Sequence, residues 1–265
     1  MKIKLAAATD IGMARDHNED SFAIFTGFKG RGDIQSAGEY ILDEHGAMLI
    51  VADGMGGTNA GEVASALAIS SVKEYLGKIP EGWGSSSELL QNVLVGAIKF
   101  AHRKILKYGR NHPGSSGMGT TIVLAYINNA TMHVAWAGDS RCYVLRKDEV
   151  ELVTHDHSVV QEMIDDGEIS IEESFYHPER NFITKCLGGS EPGIVDPEIR
   201  EFKLEAGDRI LLCSDGLNSI VFDHRIGEII SGHDDLAQCA AALINEANTA
   251  GGYDNITVVL AEIGF

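Results

Sequence analysis

The sequence predicts an α+β layered domain built on antiparallel sheet, and three observations carry that reading. Apolar runs rich in strand-forming residues follow one another closely at 121–127, 132–136 and 142–145. The connectors Asn128-Asn129 and Lys147-Asp148 are short and polar, which admits antiparallel neighbours, excludes crossover helices and predicts a meander. Helical spacing lies in separate stretches, with no regular β-α-β alternation.

In chain order, Met1-Lys2-Ile3-Lys4-Leu5-Ala6 runs on to Asp10 before an export signal could be completed. A short strand is expected after Asp20-Ser21, and 27–46 reads as an irregular excursion with Lys29 and Arg31 at its tip. Residues 48–52 form an apolar strand, and 61–75 a helix. After an irregular stretch over 77–87, a second helix is expected where Leu90, Leu94, Ala97, Ala101 and Ile105 recur at three- and four-residue steps. Ser86 or Ser87 caps it and Gly109 ends it. Beyond the strand group, a polar stretch from about His155 to Gly189 contains a short helix from Val159 to Ile164. His155-Asp156-His157 reads as the turn leading into that helix, in preference to a metal-ligand pair. Residues 210–213 form another apolar strand, 235–247 a helix stopped at Gly251-Gly252, and 256–260 a last strand. No repeat or linker interrupts this order, so 1–265 reads as one domain.

The chain carries 39 Asp+Glu against 21 Lys+Arg, a formal net charge of −18. That excess argues against nucleic acid and against an anionic membrane surface as partner, because both call for concentrated basic charge. It also predicts faster encounter with sites flanked by Lys or Arg than with acidic ones. A hydrophobic fraction of 44% is enough to build a core. Cys142, Cys186, Cys213 and Cys239 are too far apart for a C-x-x-C pair, which favours free thiols in a reducing compartment. No apolar stretch approaches the roughly 20 residues of a membrane helix. The expected location is therefore cytoplasmic.

The candidate chemistry lies at strand tips. Three apolar strands run into an aspartate beside a small residue, at Ala52-Asp53-Gly54, Gly138-Asp139-Ser140 and Ser214-Asp215-Gly216, and Asp254-Asn255 leads into a fourth. A hairpin turn is the ordinary explanation of a single Asp-Gly. It fits poorly where Met55-Gly56-Gly57 and a helical pattern follow Asp53, or where Leu217-Asn218-Ser219-Ile220 follows Asp215. Four stiff tips can present acids to one site. Carboxylates gathered without thiolates suit hard cations such as Mg²⁺ or Mn²⁺, and repel one another without them. Arg15, set among acids between Thr9 and Ser21, fits a surface ion network or a bidentate clamp on phosphate.

Seven blocks in order, Gly12-x-x-Arg15-x-x-Asn18-Glu19-Asp20, Asp53-Gly54-Met55-Gly56-Gly57, Gly119-Thr120-Thr121, Gly138-Asp139-Ser140-Arg141, Asp156-His157-Ser158, Ser214-Asp215-Gly216 and Asp254-Asn255-Ile256-Thr257, span nearly the whole chain. In these blocks it resembles the metal-dependent protein phosphatases of the type 2C (PPM) family, bacterial type. The resemblance implies a four-layer αββα sandwich, two antiparallel sheets flanked by helices. It implies that Asp53 bridges two Mn²⁺ or Mg²⁺ ions, that Asp215 and Asp254 complete the first site, and that the Gly54 carbonyl and Glu19 serve the second. Asp139 with Asp215 matches the third-ion site of bacterial members. Arg15 matches the arginine that receives the substrate phosphate, and Asp20 and Asn255 match supports behind the ligands.

The implied reaction is hydrolysis of phosphoserine and phosphothreonine in proteins, opposing a cytoplasmic protein kinase. A hydroxide bridging the ions attacks phosphorus directly, with no phosphoenzyme. Met55 stands where eukaryotic members carry a histidine proposed as leaving-group acid; a thioether donates no proton, so another group must. The stretch 155–189 resembles the flap beside the active site and is the expected seat of substrate choice. Two alternatives stay open at this level: a pseudophosphatase that binds a phosphoprotein without turnover, and a phosphohydrolase of small esters. Retention of Asp53, Asp215 and Asp254 speaks against the first. Against a nucleotide enzyme, Gly77-Lys78 is followed by Ile79 where a P-loop needs Ser or Thr.

Overall fold

The computed structural model describes residues 1–26, 34, 36–56, 60–80, 86–189 and 195–264; Lys29, Arg31 and Gly57 lie outside the described residues. Strands β1 (Lys2–Asp10), β2 (Ser21–Thr26), β3 (Gly38–Ile41), β4 (Ala47–Ala52) and β5 (Gly54–Met55) precede helices α1 (Ala60–Gly77) and α2 (Ser87–Asn111). Then come β6 (Gly119–Thr120), β7 (Ile122–Asn128), β8 (Thr131–Ala137), β9 (Arg141–Arg146) and β10 (Glu149–Leu152). The order ends with α3 (Val159–Asp165), α4 (Ile171–Ser174), β11 (Leu187–Gly188), β12 (Glu198–Lys203), β13 (Arg209–Cys213), α5 (Asp215–Asn218), α6 (Asp223–Ser231), α7 (Leu236–Thr249) and β14 (Ile256–Gly264). One antiparallel sheet runs β10-β9-β13-β14-β1-β3, a second β12-β8-β7-β4-β2, and a small third β11-β6-β5.

Side-chain alternation turns these sheets into layers. In β4, Leu49 and Val51 point between the two large sheets, while Met48, Ile50 and Ala52 point to α1 and α2. In β13, Leu212 joins the same middle core, and Leu211 and Cys213 face α5, α6 and α7. Three apolar cores thus separate four layers, helices, sheet, sheet, helices, as expected. Strands covered on both faces read as continuous apolar runs, which is why β4, β7 and β13 stand out in the sequence.

Two local expectations are corrected, and one strand is added. The strands from 121 to 145 are not one meander: β7 and β8 pair in the second sheet, whereas β9 pairs with β10 and β13 in the first. The chain changes sheets at Gly138-Asp139-Ser140, where Gly138 adopts φ 121°. Helix α2 is capped by Ser86, whose Oγ accepts from Leu89 N (3.2 Å), but it runs through Gly109 to Asn111. There the glycine lets the helix lie close to the Ser115 carbonyl. The opening residues form a nine-residue strand, β1, paired along its length with β14. Its alternation is blunted by Ala6, Ala7 and Ala8, so the pattern gave little warning of it.

Candidate active site

The antiparallel register gathers the acids. β4 and β8 are both antiparallel to β7, so Asp53 and Asp139 leave the second sheet at the same end. β2 starts opposite the end of β4, with Ser21 facing Ala52, which brings Asp20 there too. In the first sheet β13 ends where β14 begins, which places Asp215 beside Asp254. Five carboxylates from five chain segments therefore converge.

Hydrogen bonds fix each segment. The Asp53 carbonyl accepts from Thr121 N and Thr120 Oγ1, both at 2.8 Å, while Asp53 N donates to Thr121 Oγ1 at 3.0 Å. Thr121 Oγ1 also meets Ser140 Oγ at 2.7 Å, which ties the Asp53 tip to the Asp139 crossing. Asn255 staples the N-terminal loop: its Oδ1 accepts from Glu19 N (2.8 Å), and its Nδ2 donates to the Ile11 and His17 carbonyls (2.9 and 3.0 Å). Ser214 Oγ donates to Asp20 Oδ2 at 2.7 Å. Gly54 and Gly61 let the strand tip and the first turn of α1 touch; a Cβ on Gly54 would collide with the Gly61 carbonyl, and one on Gly61 with the Glu19 carboxylate. Thr120, Thr121, Ser140, Ser214 and Gly61 received no individual role from the sequence. The blocks at Gly119-Thr120-Thr121, Gly138-Asp139-Ser140-Arg141 and Ser214-Asp215-Gly216 were the available signal for four of them.

The electrostatics are those of an uncompensated acid cluster. Asp53 is pushed well above the usual carboxylate range, first by burial and then by Asp20, Asp215, Asp139 and Asp254. Burial, then Asp215, likewise raises Asp139. Burial leads for Asp20 as well, pushed up to about 7, and for Asp215, pushed up to about 6 with Asp254 next in importance. Arg15 Nη2 donates to Asp254 Oδ2 at 2.6 Å, and this bond raises the guanidinium pKa. Arg15 is thus the cation at the mouth of the cluster.

Whether these residues suit divalent ions can be judged from their own atoms. Glu19 Oε1, Asp20 Oδ1 and Asp215 Oδ1 are buried without a hydrogen-bond partner. Such oxygens are costly unless something positive meets them. Among the described residues no three His, Cys, Asp or Glu side chains form a ready-made cage for one ion, and Asp254 is engaged by Arg15. An all-oxygen donor set with unpaired lone pairs and excess negative charge fits hard ions that complete their shells with carbonyl groups and water. The residues therefore fit the group by chemistry.

The segment 155–189 closes on itself beside this cluster, with Val159 N donating to the Phe182 carbonyl (2.9 Å) and Thr184 N to the His157 carbonyl (2.8 Å). Its His155-Asp156-His157 triplet is committed to structure. His155 pairs with Asp165, Asp156 with Arg141, and His157 accepts from Gly138 N at Nδ1 (3.1 Å) while Nε2 meets Glu198 at 2.8 Å. Ser158 then caps α3, accepting from Gln161 N.

Known proteins share this chain's sequence pattern and fold. Residues 35–259 match the family model described as Protein phosphatase 2C. The serine/threonine phosphatase stp of Listeria innocua is 34% identical over 259 residues, which is 96% of this chain and 93% of that one. The structure of the S. agalactiae serine/threonine phosphatase superposes with a TM-score of 0.85 at 30% identity, over 99% of this chain and 100% of that one. The catalytic domain of the serine/threonine protein phosphatase PstP in complex with two manganese ions superposes with a TM-score of 0.79 at 34% identity, covering 98% of each chain. The carboxylates at the strand tips, the two stacked sheets and these matches agree: the chain belongs to the protein phosphatase 2C family of serine/threonine phosphatases.

Proposed function

We propose that this chain hydrolyses phosphoserine and phosphothreonine in proteins by direct water attack on phosphorus, in opposition to a cytoplasmic protein kinase. The observation that carries the reading is the half-buried acid cluster with one arginine at its mouth. Asp53, Asp215 and Asp254 would hold one ion, and Asp53, the Gly54 carbonyl and Glu19 a second; Asp139 with Asp215 would hold a third. Bound Mn²⁺ or Mg²⁺ supplies positive charge that acidifies water and offsets charge on the phosphoryl oxygens. Arg15 turns from Asp254 to clamp the substrate phosphate, which its planar fork suits. Asp20, held by Ser214, and Asn255, bonded to both loops, keep the acids and the N-terminal loop in place.

The rest of the chain restricts the chemistry. Burial raises all four thiols, Cys239 to about 11, so none is available as a thiolate nucleophile at neutral pH. Met55, in β5 beside the cluster, cannot protonate the leaving alkoxide, so water or another group must supply that proton. Hydrolysis of a phosphothreonine peptide with Mn²⁺ should vanish on chelation and in Asp53→Asn. Equal rates in wild type and variant would defeat the assignment of Asp53, and a strong preference for free nucleotides over phosphopeptides would defeat the substrate class.

A further inference from the structure

Eight large apolar side chains are exposed among the described residues, and three of them, Ile11, Met13 and Tyr253, stand on the two loops that Arg15 and Asp254 join. Met13 is 73% exposed and Tyr253 60%. Neither hangs free. Met13 N and Ala14 N both donate to the Gly252 carbonyl, at 2.7 and 3.2 Å. The Met13 side chain consequently lies over Gly252, its Cγ 2.8 Å from where a Cβ would stand. The Tyr253 ring folds over Gly251 in the same way, with Cζ 2.6 Å from the corresponding point. Gly251 and Gly252 adopt φ of 132° and 54°, so the floor beneath both side chains is bare backbone that other residues could not supply. Arg15 follows Met13 by two positions, and Asp254 follows Tyr253 directly.

Single exposed apolar residues need no explanation. Three on the two loops joined through the arginine assigned to the phosphate do, because a thioether and a phenol held over glycine offer contact area without a wall to hide behind. A second copy of the chain is a poor occupant, since each copy carries a net charge of −18. A side chain delivered with the phosphate is held there by Arg15, whose guanidinium joins the two loops that carry the shelf.

We propose that Met13 and Tyr253, with Ile11 at the margin, form an apolar shelf that receives a nonpolar side chain adjacent to the phosphoserine or phosphothreonine of the substrate. The assignment rests on the protein phosphatase reading above and adds a specificity determinant to it. The test uses full-length protein with Mn²⁺ and phosphopeptides that differ only in Leu or Ser beside the phosphoresidue, one pair on each flank. Wild type should favour Leu by about five- to tenfold in kcat/KM for at least one flank, mainly through KM. Met13→Ser and Tyr253→Ser should bring that ratio towards one, and Met13→Leu should keep it. A wild-type ratio of one on both flanks overturns the shelf, as does a preference that survives in the double Ser variant. Failure of wild type to hydrolyse any of these peptides overturns the phosphatase reading itself, and the shelf with it.

Discussion

The Arg141 cluster and the Asp53 cluster both lie partly buried at strand termini, yet they handle charge in opposite ways. Arg141 sends Nε and Nη2 to Asp156 at 2.7–3.0 Å, and Nη1 to Tyr143 Oη and Asp223 at 3.0 and 3.1 Å. Its neighbours raise the guanidinium pKa although the side chain keeps only 17% exposure. Around Asp53, five carboxylates share one partly exposed arginine, and buried oxygens of Asp20 and Asp215 have no partner. Two sites only a few residues apart in the 138–141 turn thus differ in kind. One completes its own electrostatics and serves the fold; the other keeps unpaired negative charge, which supports our reading of it as the working site.

The contrast predicts opposite consequences for removing charge. Asp53→Asn should lower phosphopeptide hydrolysis roughly a thousandfold, while raising the unfolding temperature of the metal-free protein by relieving repulsion. A fall in that temperature would break the comparison. Arg141→Met should do the reverse of relief, leaving Asp156 and Asp223 without their cation and costing about 3–5 kcal/mol in denaturant unfolding. A loss below about 1 kcal/mol would place Arg141 among ordinary surface pairs.

Asn255→Ala sharpens the picture, because it removes the staple while leaving every carboxylate in place. Activity should fall about 10- to 100-fold, with weaker Mn²⁺ affinity in titration calorimetry.

The pH response is gentler. Asp20 at about 7 and Asp215 at about 6 lie above their unfolded value of 3.8, so the folded metal-free chain binds more protons than the unfolded one between those limits. Their contribution to stability is therefore fully present below pH 3.8 and lost as pH rises through 6 and 7. In chelator, thermal melts should show this loss, and Mn²⁺ should stabilise more strongly at pH 7.5 than at pH 5.5. The smallest effect expected is a preference of a few-fold for Lys- or Arg-flanked over acidic phosphopeptides at low salt, fading as salt is added.

Much of this was legible in the sequence because fully covered strands and their terminal aspartates announce themselves. β4, β13 and β14 and the four acids 53, 139, 215 and 254 emerge from apolar runs broken by an acid beside a small residue. The sheet change at Gly138 was not legible, since short spacing between strands says that they are antiparallel-compatible but not which sheet receives them. β1 was hidden by its alanines, and the hold of Thr120 and Thr121 on Asp53 depends on backbone groups that no side-chain pattern reports. The Arg15–Asp254 bond was hidden for another reason: the residues are 239 positions apart.

The pairing of β1 with β14, from Lys2 opposite Gly264 to Asp10 opposite Ile256, has a consequence for synthesis. A nascent chain on the ribosome displays β1 long before the strand that must lie beside it has been made, and Asp254 emerges only with that late strand. The edge of β1 that receives β14 therefore stays unpaired until residues 256–264 have been made, and Arg15 meets Asp254 only after that.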